Sequence, residues 1–277
     1  MLRDRLTGAA ILVPPLLIVI GLGQPWITVL VVVLTGLAAI ETFRLLRSAG
    51  YPSLPALGSL VAMTLVVDAA VPQPPAAGAG LLLLAIGAIL LAALSFALPD
   101  PREGAATWAT TVFGAFYASL LAFVIRAGEV APALPASAPL AGIGPERGWI
   151  LLLVLAVWAY DTGAYLAGSR IGGPRFLTHI SPSKTYAGLA GGLIASTVVV
   201  AAGLGLLGQN PIGAVILGPL VGLAAQAGDL AESMLKRAAG AKDSGNLIPG
   251  HGGILDRVDS FLFAAPALTL YVVAAVR

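Results

Sequence analysis

No cysteine occurs anywhere in the chain. That excludes disulfides, thiolate nucleophiles, Cys-ligated zinc and iron–sulfur clusters, and it leaves the compartment open. Histidine is nearly absent too: the two present, His179 and His251, are too few for a His-rich metal site. Charge is scarce. Asp, Glu, Lys and Arg make up 10% of the 277 residues, against about 25% in a soluble globular domain. Several motifs are missing as well, namely HExxH, GxSxG and a Walker A loop; the run SPSKT lacks the glycine that the Walker frame places before its lysine. What fills the chain instead is apolar. Hydrophobic residues make up 58% and the mean hydropathy is +0.95, so the chain reads as a polytopic membrane protein.

A membrane span takes about 20 mainly apolar residues. Nine stretches qualify: 7–23, 27–46, 54–71, 77–98, 107–127, 149–168, 186–207, 211–235 and 255–276. The predicted fold is all-α, a polytopic transmembrane helical bundle of about nine spans with a cytoplasmic N-terminus. It forms a single integral membrane domain over 1–277, with packing and lipid-facing helices in 1–150 and the site on the helices of 151–277. The start, MLRDRLTGAAILVPPLLIVIGLG, resembles a signal peptide, but Pro14-Pro15 and the lack of an A-x-A site predict an uncleaved first span. The stretch Glu41 to Arg47 is amphipathic and is expected along the membrane interface. The Ala/Pro/Gly-rich loop from Gly128 to Arg147 reads as a flexible connector. Glycine is frequent, 34 residues, and GLAGG at 188–192 and GLGLLG at 203–208 read as helix-packing surfaces.

Charge placement tests the topology. With nine spans and the N-terminus inside, all of the 15 basic residues except Arg126, Arg147 and Arg277 fall in inner segments. The positive-inside rule predicts this asymmetry.

Acidic residues at membrane depth point to chemistry, because a carboxylate facing lipid costs about 2.5–3.5 kcal/mol or more. Asp161 lies within the sixth span, Asp229 and Glu232 near the inner end of the eighth, and Asp256 and Asp259 open the ninth. Asp256 and Asp259 share a helix face at i, i+3; Asp229, Glu232, Ser233 and Lys236 share another. Oxygen ligands without Cys or spare His suit a hard cation, Mg²⁺ before Zn²⁺. Spacing alone leaves three readings open: a metal site, buried acid–base pairs that pin helices, and an ion or proton pathway.

Ser233 to Ser260, SMLKRAAGAKDSGNLIPGHGGILDRVDS, places Lys236, Arg237, Lys242, Asp243, Asp256, Arg257 and Asp259 in 28 positions. Mixed Lys/Arg and carboxylates fit a metal-bound polyphosphate. Gly245, Gly250, Gly252 and Gly253 would let backbone N–H groups approach a phosphate. The dipole of the helix starting near Ile254 would favour an anion or support the carboxylates there. His251 is a candidate phosphate donor or acid–base group, although a lone loop histidine is more often neither. Upstream, Ser181, Ser183 and Thr185 set hydroxyls around Lys184.

These residues resemble a known signature. Ser233-Met-Leu-Lys236-Arg237, Lys242-Asp243-x-Gly245 and Pro249-x-His251-Gly252-Gly253-x-x-Asp256-Arg257-x-Asp259 look like that of the phosphatidate cytidylyltransferases (CDP-diacylglycerol synthases). The likeness extends to Gln226-x-Gly228-Asp229-Leu230-x-Glu232-Ser233, to Asp161-Thr162-Gly163-Ala164-Tyr165 and to Ser181-Pro182-x-Lys184-Thr185. It is strong in the C-terminal half and loose before it. One departure stands out: where the family has W-E-G after S-P-x-K-T, this chain has Tyr186-Ala187-Gly188, so the acidic residue is lost.

The resemblance implies that CTP and phosphatidate give CDP-diacylglycerol and pyrophosphate, on the cytoplasmic side of the plasma or inner membrane. It implies Mg²⁺, with room for a second cation, held by Asp229, Asp256 and Asp259. Lys236, Arg257 and His251 are the implied catalytic groups. Ser183, Lys184, Thr185, Ser233, Arg237, Lys242, Asp243 and Asp161 are the implied substrate-binding groups. Expected partners are CTP, phosphatidate and membrane lipid; a homodimer is allowed and no nucleic acid is expected. The alternative is an ion-coupled transporter using the intramembrane carboxylates, against which stands the clustering of charge at one face.

Overall fold

The computed structural model describes residues 13–71, 79–247 and 252–276. Apart from isolated β-bridges, every regular element among these residues is helical. In chain order they are α1 (Val13–Leu22), α2 (Trp26–Ser48), α3 (Pro55–Ala70), α4 (Ala79–Ser95), α5 (Pro101–Ser119), α6 (Ala122–Glu129), α7 (Pro145–Ile171), α8 (Tyr186–Leu206), α9 (Ala214–Ala238) and α10 (Leu255–Tyr271). Several starts are written locally. Proline opens α3, α5 and α7, where its missing N–H would have no helical partner. Asp100 caps α5 by accepting from Arg102 N at 2.8 Å, and Thr185 caps α8 by accepting from Gly188 N at 3.0 Å.

Among the described residues, five helical segments are long and apolar enough to cross a membrane: α2, α7, α8, α9 with its 3₁₀ lead-in, and α10 with its π-helical end. The count is six if α5 and α6, bent by 41° at their junction, form one span. The chain is thus a multi-pass helical membrane protein. Where spans were also expected, α1, α3 and α4 show apolar helix over 10–17 of the described residues. The count of nine and the orientation of the N-terminus therefore rest on the sequence alone. Most of the signal-like start, residues 1–12, lies outside the described residues.

The chain divides into two compact units, Met1–Ile125 with Leu235–Val258, and Arg126–Met234 with Asp259–Arg277. In the first, α2, α3, α4 and α5 pack on one another. Phe43 is the wedge. It is fully buried, and a Cβ at Gly58 of α3 or at Gly114 of α5 would have two of its ring atoms within 2.7 Å. This corrects the interfacial reading of Glu41 to Arg47: the stretch continues α2, and Glu41, Thr42, Phe43, Leu45 and Leu46 are buried. Phe43 packs against α3 and α5, while Arg44 and Arg47 stay exposed.

In the second unit, α7 and α8 pack along glycines. A Cβ at Gly163 would stand 3.2 Å from the Gly191 carbonyl carbon, and one at Gly192 3.0 Å from the Tyr160 oxygen. The small-residue surface read at 188–192 is used as expected. Ser196 donates to the Gly218 carbonyl at 3.1 Å and ties α8 to α9. The loop after α6 is not a loose connector: Ala138 is buried, and Leu140 N donates to Leu206 O at 3.0 Å.

Candidate functional site

In the second unit the site begins with the segment between α7 and α8. Gly172 and Gly173, with φ of 66° and 98°, turn the chain out of α7 in a conformation that side chains other than glycine rarely adopt. The segment then closes on itself. Arg175 and Thr185 form an antiparallel bridge, Phe176 N donates to Lys184 O at 3.2 Å, and Tyr186 N to Pro174 O at 3.1 Å. The Phe176 and Tyr186 rings lie 5.3 Å apart across the closure. Lys184 is thus held on a braced arm, and its ammonium pairs with the carboxylate of Asp229. Thr185 is buried as the α8 cap, while Ser183 is exposed.

The carboxylates follow. Asp229 and Glu232 stand on α9 and Asp259 on α10, and each offers an oxygen lying within 4.8 Å of the others. Gly228 is the reason they meet. A Cβ there would stand 3.1 Å from the Asp259 carbonyl carbon and 3.2 Å from Ser260 Cα, so only glycine lets the two helix backbones come this close. Glu232 is fully buried. Tyr160 donates to Gln226 Oε1 at 2.8 Å, and both residues are buried, which fixes α7 against α9. This brings Asp161, the next residue on α7, within electrostatic range of Lys184 and Asp229. Three convergent carboxylates with no sulfur or imidazole donor can hold a hard metal ion.

The first unit carries a second set of charges. Asp256, in the first turn of α10, accepts from Lys236 Nζ at 2.7 Å, Ser244 N at 2.9 Å, Ser244 Oγ at 2.8 Å and Gly253 N at 2.8 Å. Three of these four contacts fall on Oδ2 and one on Oδ1. Glu41 of α2 is buried and accepts from Ser244 Oγ at 2.9 Å, Ile254 N at 3.1 Å and Leu255 N at 2.7 Å. The amides at the start of α10 are therefore satisfied by the chain's own carboxylates, which is the supporting role allowed for this helix dipole by the sequence. Beside them a crevice of about 230 Å³ is lined by Leu37, Ile40, Glu41, Arg44, Asn246 and Leu247.

Of the residues expected in the site, the structure brings together Asp161, Lys184, Asp229 and Asp259, and it adds Glu232. Asp256 and Lys236 are paired with each other. Arg237, Lys242, Asp243 and Arg257 are exposed, and Ser233 is buried. His251 lies outside the described residues. Ala187, which replaces the expected acid, is half-buried in the first turn of α8. Glu232 was legible as a neighbour of Asp229 on one helix face, though not as a ligand. Glu41 was missed; its only signal was an acid at the end of an apolar run.

Comparison with known proteins places these features. A family model described as the cytidylyltransferase family matches residues 3–275. Curated relatives carry the name phosphatidate cytidylyltransferase. That of Synechocystis sp. is 42% identical over 184 residues, covering 59% of this chain and 61% of its own length. That of Staphylococcus aureus is 46% identical over 127 residues, covering 45% and 49%. That of Brucella suis is 43% identical over 130 residues, covering 44% and 46%. The chain thus spans about half to three fifths of the length of the curated relatives it matches. The ion-coupled transporter finds no support in these matches.

Proposed function

This chain belongs to the cytidylyltransferase family, and on that premise we propose that it transfers the cytidylyl group of CTP to phosphatidate. A phosphate oxygen of phosphatidate attacks the α-phosphorus of CTP. The bond from that phosphorus to the oxygen bridging to the β-phosphate breaks, and pyrophosphate leaves with the electron pair. CDP-diacylglycerol remains in the membrane. The lipid phosphate is itself the nucleophile, so no covalent enzyme intermediate is needed. The observation that carries the reading is the group of three carboxylates, Asp229, Glu232 and Asp259, with Lys184 beside it.

The obstacle is that one polyanion must approach another. Like charges about 4 Å apart repel by about 4 kcal/mol at an effective dielectric near 20. We assign Mg²⁺ to Asp229, Glu232 and Asp259, whose all-oxygen donor set suits it. Bound there, the cation neutralises phosphate charge and favours departure of pyrophosphate. Lys184 holds phosphate oxygens at the same site, and Asp161 sets the charge balance around it. Arg237, Lys242 and Arg257 are exposed, and their chemistry suits phosphate oxygens. Lys236 and Asp256 work as a pair that shapes the loop, and His251 is kept as a donor to a departing phosphate. CTP reaches the site from the cytoplasm and the lipid from the inner membrane, with its tails in the bilayer.

The test measures pyrophosphate release in membranes carrying the chain. Release is expected only when CTP, phosphatidate and Mg²⁺ are all present. Asp259→Asn is expected to lower the rate by about 100-fold or more, the scale of losing one preorganised electrostatic contact. A wild-type rate for D259N overturns the metal assignment. Substrate flux without nucleotide turnover overturns the enzyme.

A further inference from the structure

Glu41 sits near the end of an apolar helix, about two hundred residues in sequence from the loop it touches. A buried carboxylate survives only with compensating donors. Here they come from one segment: Ser244 Oγ, Ile254 N and Leu255 N, at 2.9, 3.1 and 2.7 Å. The segment is cut to fit the carboxylate. A Cβ at Gly245 would stand 2.6 Å from Glu41 Oε1 and 3.0 Å from its Cδ, so the loop passes where only glycine clears the acid. Ser244 Oγ also lies 2.8 Å from Asp256 Oδ2, so its single hydroxyl proton is shared between the Glu41 and Asp256 carboxylates. The backbone N–H groups of Ser244 and Gly253 turn to Asp256, and those of Ile254 and Leu255 to Glu41.

We propose that Glu41 is a positioning residue for this loop. It fixes Ser244 and the first turn of α10, and with them the backbone that carries Lys242 and Arg257. The effect on CTP rests on the cytidylyl-transfer reading; the clamp itself does not. A neutral residue of the same size cannot replace it. Glutamine carries one acceptor oxygen and turns an NH₂ toward donors that need an acceptor. The buried amides of α10 would then lack a partner and the loop would loosen locally.

The experiment compares Glu41→Gln and Ser244→Ala with wild type, all as the full chain in lipid nanodiscs. Two quantities are read: hydrogen exchange of the Ile254 and Leu255 amides, with the α8 amides as internal control, and pyrophosphate release against CTP concentration. E41Q is expected to speed exchange at residues 254 and 255 by about tenfold or more while α8 stays protected. Its KM for CTP should rise and its kcat/KM fall by about tenfold or more, since small misplacements of binding groups are costly. S244A should move both readouts in the same direction and less. A merely structural role would lower kcat with the amount of folded protein and leave KM unchanged, and that result overturns the proposal. So does unchanged exchange at residues 254 and 255 in E41Q. If E41Q fails to fold, S244A decides: wild-type exchange and KM there overturn the proposal. If the wild-type chain releases no pyrophosphate, the reaction assignment fails, while exchange still decides whether Glu41 holds the loop.

Discussion

Gly228 of α9 lies against the backbone of Asp259 in α10, with no room between them for a side chain: a Cβ would stand 3.1 Å from the Asp259 carbonyl carbon. The contact is what lets carboxylates from two helices share one small volume. Gly228→Ala is therefore expected to push the helices apart at the site. Overpacking of this kind costs about 1–3 kcal/mol, visible as a lower melting temperature in detergent. Activity should fall further than stability, because the ligand oxygens separate. Parallel melting and pyrophosphate-release measurements check this, and a G228A enzyme with wild-type turnover argues against the close approach.

Glu232 adds the third carboxylate and is fully buried. Glu232→Gln keeps the shape and removes one negative charge. The Mg²⁺ concentration for half-maximal activity is expected to rise by about tenfold to a hundredfold, as for perturbed metal-site partners. A chelator should abolish wild-type activity, with Mg²⁺ restoring it. An unchanged Mg²⁺ titration in E232Q would remove Glu232 from the ligand set.

Lys184 and Asp229 separate function from stability. Their side chains are 27% and 26% exposed, so water screens the pair and its contribution to stability is modest, about 1 kcal/mol or less. Lys184→Met should thus leave the melting temperature almost unchanged. Pyrophosphate release should nevertheless drop by about tenfold or more, because the proposed phosphate contact of Lys184 is lost, with KM for CTP raised. A large fall in melting temperature with intact kinetics would make Lys184 a structural residue.

Lys236 and Asp256 make the opposite case. Their side chains are 12% and 10% exposed and 2.7 Å apart. Lys236→Met removes the Lys236 ammonium from the half-buried Asp256 carboxylate, at an expected cost of about 1–3 kcal/mol. Lys236→Met combined with Asp256→Asn should recover part of that loss. A double-mutant cycle on melting temperatures measures the coupling, and strict additivity would mean the pair contributes nothing.

Much of this was legible in the chain. Scarce charge and long apolar runs required helices, since a segment crossing lipid must satisfy its own backbone hydrogen bonds. The spacing of Asp229 and Glu232, and of Asp256 and Asp259, put acids on common helix faces, because helix geometry is local. Other features were not legible. Spacing could not tell that Asp259 joins Asp229 and Glu232 while Asp256 turns to Lys236, Ser244 and Gly253. A difference of three residues on one helix separates the two roles, and only the neighbours that each carboxylate meets decide between them. The length of α3 was equally hidden, since hydropathy marks apolar runs without fixing where a helix stops.

The sequence by itself determined the class: a helical membrane chain with a charged, glycine-rich segment whose motif resembles that of phosphatidate cytidylyltransferases. Composition and local spacing suffice for that, because both act through nearest neighbours on one helix. Tertiary structure alone decided the use of each acid. Gly228 sets how near α9 and α10 approach, and Glu41 reaches Ser244 and the first amides of α10 across a long stretch of chain. Such contacts depend on burial and packing between distant segments, and no periodicity in the sequence encodes them.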